Sequence, residues 1–141
     1  MAYATRTDID KRITQAELVR LTDESDSGIV DEAKVEAALE AADLEIDSYL
    51  AGNPRYKLPL VVVPPLLPSL AVDLALWNLY SIADADGMPK TRTERRQAAV
   101  DILKRLADGS LTLGAAEPAS QTPSFSGGDR LFTRTTMRDV L

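Results

Sequence analysis

The sequence predicts a mainly α-helical protein, a small bundle of about four to five helices with an extended C-terminal arm. Three observations support this prediction. Among 141 residues, alanine and leucine occur 19 times each, whereas valine occurs 9 times and isoleucine 6 times, and strands favour these β-branched residues. Apolar residues recur at the three- and four-residue spacing of helices. Thr and Asp residues stand where helices would begin.

Two short helices are predicted near the start, at about 7–13 and 15–22. Thr7 with Asp10 and Thr14 with Glu17 both resemble capping boxes, in which a side chain three residues on completes the helix start. The polar, turn-rich residues 23–28 then end this pair.

The acidic loop that follows matches part of a calcium-binding loop. Asp23, Ser25, Ser27 and Asp31 fall at ligand positions, but Lys34 stands where a bidentate Glu is required. A cation there would repel the metal, so we interpret this loop as a solvated turn followed by a helix N-cap.

A long amphipathic helix is predicted from Asp31 as N-cap to about Ala51, with Gly52 as its stop. Its apolar residues recur at helical spacing and predict a buried face; they are Val35, Ala38, Leu39, Ala42, Ile46, Tyr49 and Leu50. An acidic face lies opposite, formed by Glu36, Glu40, Asp43 and Asp47.

Residues 55–65 contain three prolines and predict an extended connector. The next helix, the second of the long ones, begins near Pro65 or Pro68 and continues to about Ala83. It is apolar on nearly all faces. Prolines break the apolar segment that contains it, so we expect a buried central helix and no contact with a membrane. Its Asp73 is expected to pair with a cation, since a buried unpaired carboxylate is costly.

A third long helix is predicted from a capping box at Thr91 and Glu94 to about Ala107, with Gly109 as its stop. Ala99, Ile102, Leu103 and Leu106 form its inward stripe. It also holds the main basic concentration, formed by Lys90, Arg92, Arg95, Arg96, Lys104 and Arg105. Arg95 or Arg96, or a residue of a neighbouring subunit, is the expected partner of Asp73. Trp77 and Tyr80 are expected in the core, and 111–113 as a short strand.

The composition changes after this helix. We predict one helical domain over residues 1–113, followed by residues 114–141 as a flexible linker and a C-terminal arm. The arm mixes apolar residues with arginines, which suits docking on a partner; its candidate contacts are Leu131, Phe132, Arg134, Met137 and Arg138.

Residue types that are missing exclude several functions. The chain has no Cys and no His and a net charge of −6. Disulfides, zinc-thiolate sites and histidine-based catalysis are therefore excluded, and we expect no enzyme activity and no cofactor or metal. An acidic chain is also a poor binder of nucleic acid, because phosphate neutralisation dominates that affinity.

The basic residues of 90–105 and the acidic face can each be interpreted in two ways. The basic residues of 90–105 fit either salt bridges with neighbouring copies or weak phosphate contacts, the latter in a small regulatory or nucleic-acid-binding protein. The acidic face fits an exposed polar surface or, if many copies assemble, a negatively charged channel.

The order of several segments resembles a known family. The segments are Tyr3–Ile9, Tyr56–Leu60, Val63–Leu67, Leu79–Tyr80, Leu111–Gly114 and Phe132–Arg134. Together they are similar to the Mu-like phage and prophage family of small head–tail connector proteins, also called adaptor or head-completion proteins. The resemblance covers nearly the whole chain.

The resemblance implies a virion structural protein that is a small helical bundle. About twelve copies would form a ring against the portal protein, above a stopper or tail-completion protein, and genomic DNA would pass through without specific binding. The expected location is the virion neck, after assembly in the host cytoplasm. The arm would contact the portal. Charged residues of the acidic helix 31–51 and of the basic helix 91–107 would meet between subunits or line the channel; these are Glu36, Glu40, Asp43, Asp47, Arg92, Arg95 and Arg96.

Overall fold

The computed structural model describes residues 2–114, which form five α-helices and contain no strand. The helices are α1 (Arg6–Asp10), α2 (Gln15–Thr22), α3 (Glu32–Ala51), α4 (Leu66–Ala83) and α5 (Lys90–Asp108). The prediction of a mainly α-helical bundle is therefore confirmed. The predicted arm from 115 onward lies outside the described residues, and the domain boundary at 113 stays a prediction.

Helix α4 is the centre of the bundle. It contacts each of the other four helices, and Leu67, Leu74 and Leu76 are completely buried. It has the length and hydropathy of a membrane-spanning helix, but half of its residues are buried inside the protein. The prediction of a buried central helix is confirmed, because the other helices supply the apolar surroundings that its sequence requires.

The other helices bury the apolar stripes predicted for them. Ile9 of α1, Leu18 of α2, Ile46 of α3 and Leu103 of α5 are completely buried. Three of the expected core residues are only partly buried, namely Tyr49, Trp77 and Ile102.

Helix starts follow capping chemistry in three cases. The Thr14 hydroxyl accepts the N–H of Glu17 at 3.3 Å, as predicted, and Asp31 caps α3 through the N–H of Ala33. The prediction at Thr7 was wrong, because the box uses Thr5, whose N–H donates to Asp8 at 3.0 Å.

The predicted start at Thr91 was also wrong. Helix α5 already begins at Lys90, directly after Pro89, and no side-chain cap supports it. The predicted stop at Gly109 is confirmed, since this residue has φ +84°, a conformation that glycine adopts without strain.

The connector between α3 and α4 is anchored from both sides. Asn53 is buried, and its amide nitrogen donates to the carbonyl of Leu106 at 2.9 Å. Tyr56 is also buried, and its hydroxyl accepts the N–H of Leu113 at 3.2 Å. The predicted strand at 111–113 was wrong. The backbone N–H of Leu113 donates to the Tyr56 side chain, and Leu113 packs in the core.

The acidic loop between α2 and α3 is organised by one side chain. The Asp23 carboxylate accepts hydrogen bonds from Ser25, from the Ser27 hydroxyl and from the N–H of Gly28. These hydrogen bonds hold the pKa of Asp23 below its usual value. The carboxylate thus serves the turn itself, in agreement with the interpretation as a turn.

Shortening a leucine of α4 tests its central place. Leu76→Ala should lower the free energy of unfolding by about 2–5 kcal/mol, because it removes buried apolar atoms and leaves a cavity. Leu44→Ala, at a residue of α3 that is 63% exposed, is the control and should change it by no more than about 0.5 kcal/mol. Urea unfolding followed by circular dichroism measures both, and equal effects would contradict the central position of α4.

Candidate functional site

The basic residues of α5 do not form one continuous patch. Arg96 lies against α3 and α4 of its own subunit: its guanidinium is 4.2 Å from the centre of the Trp77 ring and 3.2 Å from the Glu45 carboxylate. Because the stacking and the ion pair occur together, Arg96 is occupied within the subunit.

Arg92 is also held within the subunit. Its Nη2 donates to the backbone carbonyl of Arg12 at 3.2 Å, and its guanidinium is 5.9 Å from the centre of the Tyr80 ring. Burial, together with the nearby charge of Arg95, lowers the pKa of Arg92.

Asp73 of α4 lies beside two other arginines, Arg12 and Arg95. Its Oδ1 lies 3.6 Å from Arg12 Nη1 and 3.7 Å from Arg95 Nη1. The predicted pairing with Arg95 is confirmed, whereas the alternative Arg96 was wrong and Arg12 was missed. Arg12 lies 61 positions before Asp73 in the sequence, so spacing along the chain gave no signal for this contact.

We call Arg12 and Arg95 the arginine cluster. Asp73 is mostly buried, with 12% of its side chain exposed, whereas half of the Arg95 side chain is exposed. Two guanidinium groups around one carboxylate leave an excess of positive charge at the surface. This cluster can attract a carboxylate or phosphate group of another molecule.

The acidic face of α3 is divided into two parts. Glu36 and Glu40 are exposed, as predicted. Asp43 and Asp47 face the N-terminal segment instead: the N–H of Tyr3 donates to Asp43 at 3.2 Å, and the Tyr3 hydroxyl donates to Asp47. The predicted assembly surface is therefore reduced to the exposed pair, because Tyr3 covers the other two.

The contact between Tyr3 and the acidic face changes the pKa values of Asp43 and Tyr3. Burial raises the pKa of Asp43, and the charges of Asp47 and Glu40 raise it further, while the Tyr3 N–H opposes this. Burial and the hydrogen bond to Asp47 raise the pKa of Tyr3 as well. These groups are tied into the fold, and the free acidic surface is at Glu36 and Glu40.

No group of three or more Asp or Glu residues within 2–114 is arranged to hold a metal ion. What the arrangement offers is binding: an exposed acidic pair on α3 and an arginine cluster where α1, α4 and α5 meet. The candidate arm contacts lie outside the described residues; they are Leu131, Phe132, Arg134, Met137 and Arg138.

These features define a small helical protein whose exposed charged surfaces are suited to contacts with other macromolecules. A family model described as "Bacteriophage Mu, Gp36" matches residues 3–130. The chain is also 33% identical over 125 residues to the Mu-like prophage FluMu protein gp36 of Haemophilus influenzae, which covers 89% of this chain and 84% of that protein. The chain therefore belongs to the bacteriophage Mu Gp36 family and is phage-derived, which confirms the predicted resemblance to Mu-like phage proteins.

The raised pKa of Asp43 gives a pH-dependent prediction. Its carboxylate is disfavoured in the folded state, so it costs stability above the folded-state pKa and costs nothing once both states are protonated. Asp43→Asn, whose oxygen still accepts the Tyr3 N–H, should raise the free energy of unfolding at neutral pH. This gain should shrink as the pH falls toward about 4.

Urea unfolding at several pH values measures this effect. Glu36→Gln, on the exposed part of the same helix, is the control and should shift the free energy of unfolding by no more than about 0.5 kcal/mol at any pH. An Asp43→Asn protein that is less stable than the wild type at neutral pH would contradict the assigned burial cost.

Proposed function

We propose that the protein is a non-catalytic structural subunit of the phage particle, a head–tail connector at the virion neck. In this proposal about twelve copies form a closed ring that attaches to the portal protein and contacts a stopper or tail-completion protein below. The DNA passes through the ring during packaging and ejection. Membership of the bacteriophage Mu Gp36 family is the observation that most strongly supports a role in the phage particle.

The charged surfaces support assembly with other copies. A closed ring requires two different surfaces on each subunit that fit each other. The exposed Glu36 and Glu40 and the arginine cluster are such a pair, since they carry opposite charge on different helices. Opposite charges across an interface favour one orientation and disfavour contacts between like surfaces.

The charge distribution also fits the passage of DNA without binding. The net charge of −6 repels a polyanion. The alternative role in nucleic-acid binding would use the basic α5, but Arg92 and Arg96 are engaged inside the subunit. Retention of the purified protein on DNA at physiological salt would favour that alternative.

We assign attachment to the portal to the C-terminal arm. Its apolar residues among arginines suit coupled folding and binding, and many copies in a ring make weak individual contacts strong together.

Deleting residues 115–141 should separate folding from attachment. The truncated chain should keep the helical circular dichroism spectrum, because the core described above lies within residues 2–114. It should be lost from particles that contain the portal, as measured by immunoblotting of purified particles. Incorporation at the normal level would contradict the role of the arm.

Two matched substitutions refine the same experiment. Phe132→Asp lies in the candidate contact segment, and Phe125→Asp lies in the preceding Ser- and Gly-rich linker. The first should abolish incorporation and the second should not. Equal loss from both variants would place the contact outside the assigned residues.

A further inference from the structure

An apolar groove lies between α3 and α4, near the C-terminal end of α4. It has a volume of about 330 Å³, and its lining includes Ala37, Ala41, Leu79 and Ile82. Ile82 is 77% exposed. The few polar groups around it, among them Lys34 and Asn78, make it better suited to an apolar side chain than to a polar ligand.

The large apolar side chains that residues 2–114 leave exposed are concentrated at two places. They are Ile29, Leu44, Val61, Val62 and Ile82. Ile82 lines the groove, and Ile29 lines a neighbouring cavity that shares Lys34 with the groove. Leu44 lies apart from both places and lines a different cavity with Ala4 and Leu39.

The second place is the connector just before α4. Val61 is completely exposed and Val62 is 56% exposed, whereas the adjacent Leu60 is buried. Leu60 and the buried Tyr56 fix this segment to the core, so the two valines project from an anchored loop. We call Val61 and Val62 the valine ridge. Single exposed apolar residues are ordinary, but an anchored apolar projection together with an open apolar groove forms a complementary pair.

A subunit cannot place its own valine ridge in its own groove. The ridge lies four residues before Leu66, the first residue of α4, and Ile82 lies sixteen residues after it. At 1.5 Å per residue this is about 24 Å along the helix. The occupant that fits is therefore the valine ridge of a second copy.

The charges near the two surfaces are complementary. The segment from 48 to 72 contains Arg55 and Lys57 and no acidic residue, so the ridge end is basic. Glu40 lies beside Ala41 on the exposed side of α3, and Asp86 follows α4 at the groove end. Two other charges there are paired within the subunit, Asp84 with Arg20 and the groove residue Lys34 with Glu24, so the groove end is acidic. Unlike ends therefore attract one another, which favours a head-to-tail arrangement over a two-fold one.

We infer that Val61 and Val62 of one copy insert into the groove between α3 and α4 of the next copy. The contact is head-to-tail, and its repetition produces a closed ring or an open filament. The contact itself does not depend on the proposed function; only the conclusion that the repeated contact closes into a ring rests on it. It assigns the apolar part of the subunit interface, beside the charged part at Glu36, Glu40 and the arginine cluster.

Because the chain contains no cysteine, cross-linking between introduced cysteines tests the contact directly. Full-length Val62→Cys and Ile82→Cys proteins, mixed under mild oxidation, should form a disulfide-linked heterodimer at least about tenfold faster than either protein alone, since specific contact raises the effective concentration of the two thiols. Val62→Cys mixed with Ala98→Cys, at an exposed position of α5, is the matched control and should not show this enhancement.

A second variant distinguishes a specific contact between the valine ridge and the groove from random collision of the two thiols. Adding Val61→Asp to the Val62→Cys protein should reduce heterodimer formation by about tenfold, the effect of about 1.4 kcal/mol lost in a buried apolar contact. Val61 is completely exposed in the subunit, so this variant should keep the wild-type circular dichroism spectrum and thermal midpoint.

Three results would overturn the inference: equal cross-linking of the test and control pairs, faster linkage of Val62→Cys to itself, or a rate unchanged by Val61→Asp. Particles that carry the Val62→Cys and Ile82→Cys chains at the neck without this cross-link would refute the contact and leave the proposed function standing. If the purified variants cross-link but the chain is absent from phage particles, the contact is supported and the proposed function is refuted.

Discussion

The need to cover α4 on all sides is the constraint on which the rest of the structure depends. A helix that is apolar around its whole circumference is unstable in water until other elements surround it. Ile9, Leu18, Ile46 and Leu103 each come from a different helix, and all are completely buried. Complete burial of one such side chain contributes about 1.5–3 kcal/mol. Since the other helices cover most of α4 within one subunit, contacts with other molecules involve the outer surfaces of the remaining helices and loops and the exposed Ile82 near the end of α4.

Much of this fold could be predicted from the sequence, because long amphipathic helices have a strong periodic signal. The predicted bounds of the three long helices differ from the observed bounds by only a few residues. The errors have local causes. Thr5 and Thr7 each stand three residues before an aspartate, so the sequence does not distinguish the two, and the capping box predicted at Thr7 lies at Thr5. Helix α5 begins directly after Pro89, before the predicted start at Thr91. A strand at 111–113 would need a partner strand, and residues 2–114 contain none.

The candidate surfaces were harder to predict, because sequence shows which charges exist and not which are used inside the subunit. Glu45 and Trp77 engage Arg96, and the N-terminal segment covers Asp43, so an acidic face and a basic helix are reduced to smaller exposed areas. The exposed Val61 and Val62 gave no signal in the sequence either, since they belong to an apolar run in which Leu60 is buried and only packing distinguishes its members.

The central claim is that this subunit is built to assemble in a closed ring at the neck of the phage particle. Cryo-electron microscopy of the neck of purified particles tests it most directly. The account predicts that the five-helix domain is repeated around the DNA axis against the portal, with the connector before α4 of each copy beside the α3–α4 groove of the next. A neck that lacks this chain, or that holds it as a single copy away from the axis, would contradict the account.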